Sequence, residues 1–299
     1  MMDKSFLITT GNQHQYVYSD ALCYFLYVPE EMATVMEHMD ASLVDRTNYY
    51  ERKLKFLKEH CFFEKRGVTF QTDYSEELVK RNLAGLRQLL IEVTDRCNLE
   101  CKYCGYGEFY SNYDRRETGD QSFENVKLLV DYLTKLWCSD YNVSHKNEIT
   151  IGFYGGEPLL NMKLVKETIA YIESLNLPSL IFNYNTTTNA MLLDRYMDYL
   201  VEKNFSILIS LDGNEVQSAY RVDKHGNSSF SRVVRNVKKL QETYPDYFEK
   251  KVNFNSVLHN LNSVAECYYS IKELFGKNPR MAQLNTTGLI PVSYTHLRA

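Results

Sequence analysis

The sequence predicts an α/β protein built around a parallel sheet, with a smaller α+β segment ahead of it. From Leu86 onward, short apolar runs alternate with stretches whose apolar residues recur at helical spacing. Four of these runs end in polar or glycine-rich segments, as expected where parallel strands reach a common edge. Before Leu86, two short β runs flank the turn signal Gly11-Asn12.

Composition bounds the class of protein. Of 299 residues, 44% are apolar, which is enough for one large domain and a smaller one. A formal charge of −4 without a basic tract argues against nucleic acid as the main partner. No apolar stretch is long enough to span a bilayer, and the first residues lack the apolar core of a secretory signal. We therefore expect a cytoplasmic protein without a membrane partner, in which Cys23, Cys61, Cys138 and Cys267 are reduced.

Residues 1–85 are predicted to form the smaller domain. Its β runs lie at residues 6–9, 15–18 and 68–71, and its helical patterns lie at residues 29–39 and 49–62. This order resembles the winged-helix-type element that binds the leader segment of ribosomally made precursor peptides. The resemblance implies a strand edge or groove that accepts an extended leader. A structural cap on the following domain is the equal alternative.

The larger domain is predicted over residues 86–290. Its strands are expected at residues 89–93, 149–154, 180–184, 205–210 and 252–258, with a closing strand from about Met281. Its helices are expected at residues 122–137, 164–175, 192–201, 230–240 and 263–275. Because a helix separates consecutive strands, the sheet is predicted to be parallel, in a barrel or partial barrel. Site residues should then gather at the carboxyl ends of the strands.

The first of these strands is followed by three cysteines in eight residues, Cys97, Cys101 and Cys104. Thiolates so close together favour a metal site and select zinc, copper(I) or an iron–sulfur cluster. No Cys or His follows at zinc-finger spacing, and Cys138 lies beyond a predicted helix. The simplest interpretation is three protein ligands and one open coordination position, with a zinc site as the alternative.

The spacing Cys-x3-Cys-x2-Cys, with Tyr103 just before the last cysteine, resembles the cluster loop of the radical S-adenosylmethionine (radical SAM) enzymes. The resemblance implies a partial (β/α)6 TIM-like barrel whose three cysteines bind a [4Fe–4S] cluster. S-adenosylmethionine (SAM) would bind the fourth iron, with Tyr103 against its adenine. The reduced cluster would cleave SAM to a 5′-deoxyadenosyl radical. Such an enzyme needs an electron donor, for example a flavodoxin or a ferredoxin.

The segment Gly155-Gly156-Glu157-Pro158 follows the second strand. Two glycines allow a sharp turn and a close approach of the backbone to a ligand. By itself the segment would be a tight structural turn. After a strand and downstream of the cysteines, it resembles the family element that hydrogen-bonds the amino group of SAM's methionine moiety.

Three other polar residues lie where the resemblance places SAM contacts. Asn189 would contact the ribose, Ser210 would place a hydroxyl against SAM, and Arg221 would pair with the carboxylate or contact the ribose. The structural alternatives are a strand-end turn residue for Ser210 and a solvated loop residue for Arg221. Asp212 is interpreted as a turn residue that could also face the substrate. No catalytic residue is assigned.

The arrangement as a whole resembles the peptide and sulfatase maturases of the SPASM or twitch subgroup. It implies an oxidoreductase that modifies a precursor peptide, with a thioether or another cross-link as the outcome. Two alternatives are an anaerobic sulfatase-type maturase that makes formylglycine and a non-catalytic peptide-binding module that holds zinc.

The C-terminal part of the sequence departs from this subgroup. Its members usually continue into a cysteine-rich extension with auxiliary clusters, whereas here no cysteine follows Cys267. Residues 292–299 resemble the translation of a transposon adapter used in sequencing libraries. We therefore expect a non-native tail, a natural sequence that diverges at about Pro291, and truncation before the auxiliary-cluster domain.

Overall fold

The structure is a computed structural model that describes residues 7–19, 22–38, 48–63, 74–106, 119–143 and 147–285. The chain forms two compact units that meet in sequence between Asp73 and Tyr74. None of the helices in the described ranges is both long enough and apolar enough to cross a membrane. The predicted tail at residues 292–299 lies outside the described residues.

The first unit contains a three-stranded antiparallel sheet and two helices. Its elements are β1 (Leu7–Thr9), β2 (Gln15–Ser19), β3 (Tyr24–Val28), α1 (Glu30–His38) and α2 (Tyr49–Glu59), with strand order β1-β2-β3. Its hydrophobic cluster consists of Val17, Val28, Met32, Leu54 and Phe62. The antiparallel pairing of β1 with β2 is that of the predicted hairpin. The predicted β run at residues 68–71 lies outside the described residues, and the winged-helix interpretation stays a prediction.

Strand β3 was not predicted, because aromatic residues occupy both of its faces and hide the alternation typical of a strand. Its outer residues form cross-strand pairs with β2, in which ring centroids lie 5.6 Å apart for Tyr16 and Tyr27 and 4.8 Å apart for Tyr18 and Phe25. The other face carries Val28, which is buried in the core of the unit. Phe25 and Tyr27 are about half exposed, at 54% and 49%.

The second unit is a parallel sheet of six strands whose spatial order follows the chain. The strands are β4 (Gln88–Thr94), β5 (Glu148–Gly155), β6 (Ile181–Thr188), β7 (Ser206–Ser210), β8 (Val252–Leu258) and β9 (Arg280–Gln283). The helices are α3 (Glu76–Ala84), α4 (Phe123–Trp137), α5 (Met162–Ser174), α6 (Leu193–Glu202), α7 (Phe230–Thr243), α8 (Pro245–Lys251) and α9 (Val264–Phe275). Every neighbouring pair of strands is parallel, and no pairing among the described residues joins β4 to β9. This sequential open sheet agrees with the predicted partial barrel.

Helices α3 and α8 were not predicted from the sequence. Helix α3 begins after Ser75, whose hydroxyl accepts a hydrogen bond from the Leu78 amide at 3.1 Å. It packs against α4 of the second unit, although it precedes the limit that the sequence predicts at about residue 85. Helix α3 is therefore part of the second unit, which contains the parallel sheet.

The two faces of the sheet differ in polarity. One face is buried beneath the helices and carries apolar residues, among them Val93, Ile151, Phe153, Ile209 and Phe254. The opposite face, which we call the open face, carries Glu92, Tyr154, Asn185, Ser210 and Asn255. Gly152 lets two side chains pack closely over the sheet on this face, because a Cβ atom there would lie 2.6 Å from Oδ1 of Asn185 and 2.7 Å from Cδ1 of Leu90. The parallel sheet thus has one apolar side that packs against the helices and one side that carries most of its polar residues.

Candidate metal and cofactor site

The three cysteines lie in one loop, residues 95–106, which we call the cysteine loop. It follows β4 at the edge where the carboxyl ends of β5, β6 and β7 also lie. Cys97, Cys101 and Cys104 are partly exposed and form no disulfide. The Cys104 amide donates to the Cys101 carbonyl at 2.9 Å, so a tight turn joins the last two cysteines. The loop therefore places three cysteines that form no disulfide at the predicted edge of the sheet.

The chemistry of these thiols fits an iron–sulfur cluster. Burial raises the pKa of Cys101 to about 12, the charge of Arg221 opposes this rise, and Cys97 and Cys104 add to it. Three neighbouring thiolates therefore need a bound cation. Among the described residues, no three Cys, His, Asp or Glu side chains converge as ligands of a single ion. In a cluster each thiolate binds a different iron, which suits thiols that are near one another without meeting at one point.

The two glycines after β5 lie against the start of the cysteine loop. A Cβ atom on Gly155 would lie 2.1 Å from the Thr94 carbonyl oxygen, and one on Gly156 would lie 2.0 Å from that of Arg96. The Gly156 amide donates to Thr94 at 2.8 Å, and the Glu157 amide donates to Arg96 at 2.9 Å. The close approach that the glycines permit is thus to the protein's own backbone. The contact of this element with SAM stays a prediction.

Glu157 joins the ends of β5 and β6 from a buried position. Its carboxylate accepts hydrogen bonds from the Leu159 amide at 3.0 Å and from the Thr188 hydroxyl and the Asn189 amide at 2.7 Å each. Burial raises the pKa of Glu157 to about 6, although these bonds act in the opposite direction. The short 3-10 helix Pro158–Asn161 begins directly after it. We call Glu157 and these partners the Glu157 cluster.

Asn189 connects the Glu157 cluster to the first cysteine. Its side-chain nitrogen donates to Oδ1 of Asn98 at 2.8 Å and lies 3.7 Å from Sγ of Cys97. Its side-chain oxygen accepts from the Met191 amide at 3.0 Å. The predicted ribose contact of Asn189 stays a prediction, and the structure places this residue beside Cys97.

A second carboxylate, Asp212, lies beneath the other end of the cysteine loop and is fully buried. Nε and Nη2 of Arg221 donate to its two oxygens at 2.9 Å each, and the Tyr103 hydroxyl donates to Oδ2. The Val257 amide donates to Oδ1 at 2.9 Å, and Nε2 of His259 lies 3.7 Å from Oδ2. These residues, which we call the Asp212 cluster, join the cysteine loop to the ends of β7 and β8.

The Asp212 cluster contains a true ion pair. Burial by itself would raise the pKa of Asp212, but the charge of Arg221 and the hydrogen bonds of His259, Arg221 and Tyr103 lower it to about 2. The Arg221 guanidinium lies 5.4 Å from the centroid of the Tyr103 ring, and the His259 ring stacks on Tyr103 at 5.4 Å. Tyr103 is therefore fixed through both its hydroxyl and its ring.

One alternative considered from the sequence needs correction. Arg221 is 6% exposed, so the alternative of a solvated loop arginine is wrong. Asp212 lies just after β7, and the structure adds that it is a buried ion-pair partner of Arg221. The proposed contact of Arg221 with SAM stays a prediction, with two of its nitrogens already bound to Asp212.

Sequence reasoning missed several residues of this region. His259 and Thr188 gave no local signal, because their partners lie far away in the sequence. The polar residues of the open face did give a local signal in the sequence, since Asn183, Asn185 and Thr187 alternate with buried residues along β6. Ser210, which was predicted as a SAM contact, ends β7 on this face in register with Asn255.

Known proteins are similar to this chain in sequence and in fold. The sequence profile of the Radical SAM superfamily matches residues 91–263. The chain is 34% identical over 146 residues to an uncharacterized protein of Methanocaldococcus jannaschii, covering 48% of the chain and 45% of that protein. It is 27% identical over 168 residues to the cysteine-type anaerobic sulfatase-maturating enzyme of Clostridium novyi, covering 55% of the chain and 43% of that enzyme. The chain thus spans less than half of the length of either relative.

A solved structure supports the fold. The structure described as "Native anSMEcpe with bound AdoMet and Kp18Cys peptide" superposes with a TM-score of 0.55 at 22% identity, covering 66% of this chain and 51% of that one. Fold and site together define an α/β protein with a parallel sheet and a cysteine loop at its carboxyl edge. With more than half of its residues matched by the profile, the chain belongs to the radical SAM superfamily, whose members bind a [4Fe–4S] cluster and SAM.

Proposed function

We propose that this enzyme holds its [4Fe–4S] cluster through Cys97, Cys101 and Cys104 and modifies a peptide. The observation that carries the proposal is the cysteine loop, which holds three thiols that form no disulfide at the carboxyl edge of the sheet. When bound, the cluster supplies the electron that cleaves SAM to a 5′-deoxyadenosyl radical, which takes a hydrogen atom from the substrate.

The chain's own residues pre-organise this site. The Glu157 cluster and its glycines hold the start of the cysteine loop, and the Asp212 cluster holds its end through Tyr103. Fixed ligands lose little conformational entropy when the cluster binds. For SAM itself, we propose contacts from the following residues: Tyr103, Gly155, Gly156, Glu157, Pro158, Asn189, Ser210 and Arg221.

The open face supports a peptide as the substrate. Glu92, Tyr154, Asn185 and Asn255 offer hydrogen-bond donors and acceptors at the polar side of the sheet, which an extended peptide backbone can use. A sulfatase-maturating enzyme among the relatives and the peptide in a solved structural neighbour also support it. The same relative favours one second candidate, the oxidation of a sulfatase cysteine to formylglycine.

The test begins with anaerobic reconstitution and analysis of iron and sulfide. We expect about four irons per chain and formation of 5′-deoxyadenosine when dithionite and SAM are added. Cys101→Ala should lose the iron and the cleavage of SAM. Cys138→Ala is the matched control, because this thiol is exposed and lies outside the cysteine loop. Bound zinc without iron would overturn the proposal in favour of a binding module.

Mass spectrometry separates the two candidate reactions. The reconstituted protein is incubated with a cysteine-containing sulfatase peptide and, separately, with a candidate precursor peptide. Conversion of the sulfatase cysteine to an aldehyde would assign the second candidate. Loss of two hydrogens from the precursor peptide would assign cross-link formation.

We also propose that the first unit binds the leader segment of the peptide along a sheet edge. Within the described residues, β1 and β3 each pair only with β2, so an outer edge of each is open to β-augmentation. Phe25 and Tyr27 beside one edge are about half exposed. The double variant Phe25→Ser/Tyr27→Ser should weaken binding of a labelled leader peptide to the full chain, measured by fluorescence anisotropy. Unchanged leader affinity with a lowered Tm would point to the structural cap instead.

A further inference from the structure

A groove lined by basic side chains reaches the first cysteine from the helix side of the sheet. Its wall includes Cys97 together with Arg96, Arg195, Lys224, His225 and Arg232. Arg195 lies in the first turn of α6 and Arg232 in the first turn of α7. We call this feature the basic groove.

Most of this positive charge has no partner among the residues that the structure describes. Among the described residues, no carboxylate lies within 4.0 Å of the charged groups of Arg195, Lys224 or Arg232, whereas Arg96 pairs with Asp120 at 2.6 Å. Nε of Arg232 is buried and has no hydrogen-bond partner. The wall contains one acid, Asp223. In a chain of net charge −4, such a local excess of positive charge points to an anionic partner.

The position of the groove separates it from the open face. Helices α6 and α7, which carry Arg195 and Arg232, cover the buried face of the sheet, and the polar residues proposed for substrate lie on the other face. Both helices also direct the positive end of their dipole toward their first turns, next to the groove. A partner seated in the groove would therefore approach Cys97 without displacing a peptide from the open face.

We propose that the basic groove docks an acidic one-electron carrier protein. The inference rests on the proposed function, because only a cluster held by Cys97 gives the electron a destination. In this step a reduced flavin or iron–sulfur carrier loses one electron and the cluster gains it, with no bond made or broken. The unpaired arginines and lysine steer the acidic surface of the carrier toward the cysteine loop.

The experiment measures binding of an acidic flavodoxin to the full chain by calorimetry at low and at high salt. The double variant Arg195→Glu/Lys224→Glu reverses two exposed charges of the groove. We expect its Kd for flavodoxin to rise about tenfold or more at low salt, and the difference to shrink at high salt because salt screens exposed charges. The control Lys238→Glu/Lys239→Glu makes the same charge change on exposed positions further along α7 and should bind as the unsubstituted protein does.

A second readout separates the docking proposal from the proposed function. The groove variant should form 5′-deoxyadenosine normally with dithionite and at least about tenfold more slowly with reduced flavodoxin. Absence of salt-sensitive flavodoxin binding to the unsubstituted protein, or equal binding by the two double variants, overturns the docking proposal. A groove variant that binds flavodoxin normally but loses peptide turnover with dithionite would also overturn the docking proposal, since the groove would then bind the substrate.

Failure of the unsubstituted protein to cleave SAM with dithionite overturns the proposed function. The binding measurement still decides whether the groove docks the carrier.

Discussion

Two buried carboxylates hold the two ends of the cysteine loop, and they do so by different physical means. Glu157 accepts three hydrogen bonds from neutral donors, and burial raises its pKa to about 6. Asp212 faces the charge of Arg221, and its pKa falls to about 2. The same type of group therefore titrates in different pH ranges at the two ends.

This difference determines how much stability the protein should lose when either carboxylate is changed. The three neutral donors favour the carboxylate of Glu157, but loss of its charge leaves no opposite charge buried without a partner in this cluster. The ion pair of Asp212 and Arg221 is strong only while both partners are present, because either charge alone would be buried without compensation. Changes in the Asp212 cluster should therefore have the larger effects.

The largest loss of stability is expected from Asp212→Asn. This change leaves the guanidinium of Arg221 buried without its counter-ion, which should cost about 3–5 kcal/mol of unfolding free energy. Urea denaturation of the purified protein measures it. Adding Arg221→Met to Asp212→Asn removes the orphaned charge, so the double variant should be less destabilised than the sum of the single variants. Strict additivity would mean that the two side chains do not act as a pair.

Gly156→Ala should have the next largest effect. Its new Cβ would lie 2.0 Å from the Arg96 carbonyl oxygen, so the backbone at the start of the cysteine loop must move. We expect a loss of about 3 kcal/mol and a lower iron content after reconstitution. Gly105→Ala, in the same loop, is the control, because no atom of the described residues lies within 4 Å of a Cβ at that position. Equal iron content in the two variants would contradict the role given to Gly156.

Glu157→Gln tests the three hydrogen bonds that neutral donors make to Glu157. Glutamine has one acceptor oxygen, so the Asn189 amide would face an NH2 group and lose its acceptor while the bonds to Leu159 and Thr188 are kept. An unsatisfied buried amide should cost about 2 kcal/mol, again measured with urea. A loss as large as that of Asp212→Asn would remove the distinction between the two clusters.

The smallest effect is a pH dependence of stability that we expect from Glu157. The pKa of Glu157 is raised from 4.5 to about 6 in the folded state, so its contribution to stability is present at low pH and lost as the pH rises through this range. Between about pH 5 and about pH 7 we expect the unsubstituted protein to lose about 1 kcal/mol that Glu157→Gln does not lose. Asp212 adds no slope there, because its pKa lies near 2. Parallel curves for the two proteins would show that Glu157 does not titrate in this range.

Much of the parallel sheet could be predicted from the sequence. Strand β8 has the predicted bounds, and the other strands of the second unit differ by a few residues at their ends. Apolar runs and helical spacing are local signals, so short windows of sequence contain them. The cysteine motif is local in the same sense.

The partners of the cysteine loop could not be predicted in this way. Tyr103 and Asp212 are 109 residues apart, and Glu157 and Asn189 are 32 residues apart. Arg221 and Asp212 were noticed as single polar residues, but their pairing depends on the loop after β7 folding back beneath the cysteine loop. Such contacts follow from the tertiary structure and leave no spacing that a sequence pattern could detect.

The order of the strands has a consequence for biosynthesis. The cysteine loop follows the first strand of the sheet, whereas the residues that hold it come from the ends of the four strands after it, as late as His259. A ribosome therefore releases the thiols long before it releases their supports. During this interval the nascent chain exposes three reactive cysteines with nothing to fix their geometry. Insertion of iron and sulfide should accordingly follow translation of the β8 segment, and oxygen present before that point would reach unprotected thiols.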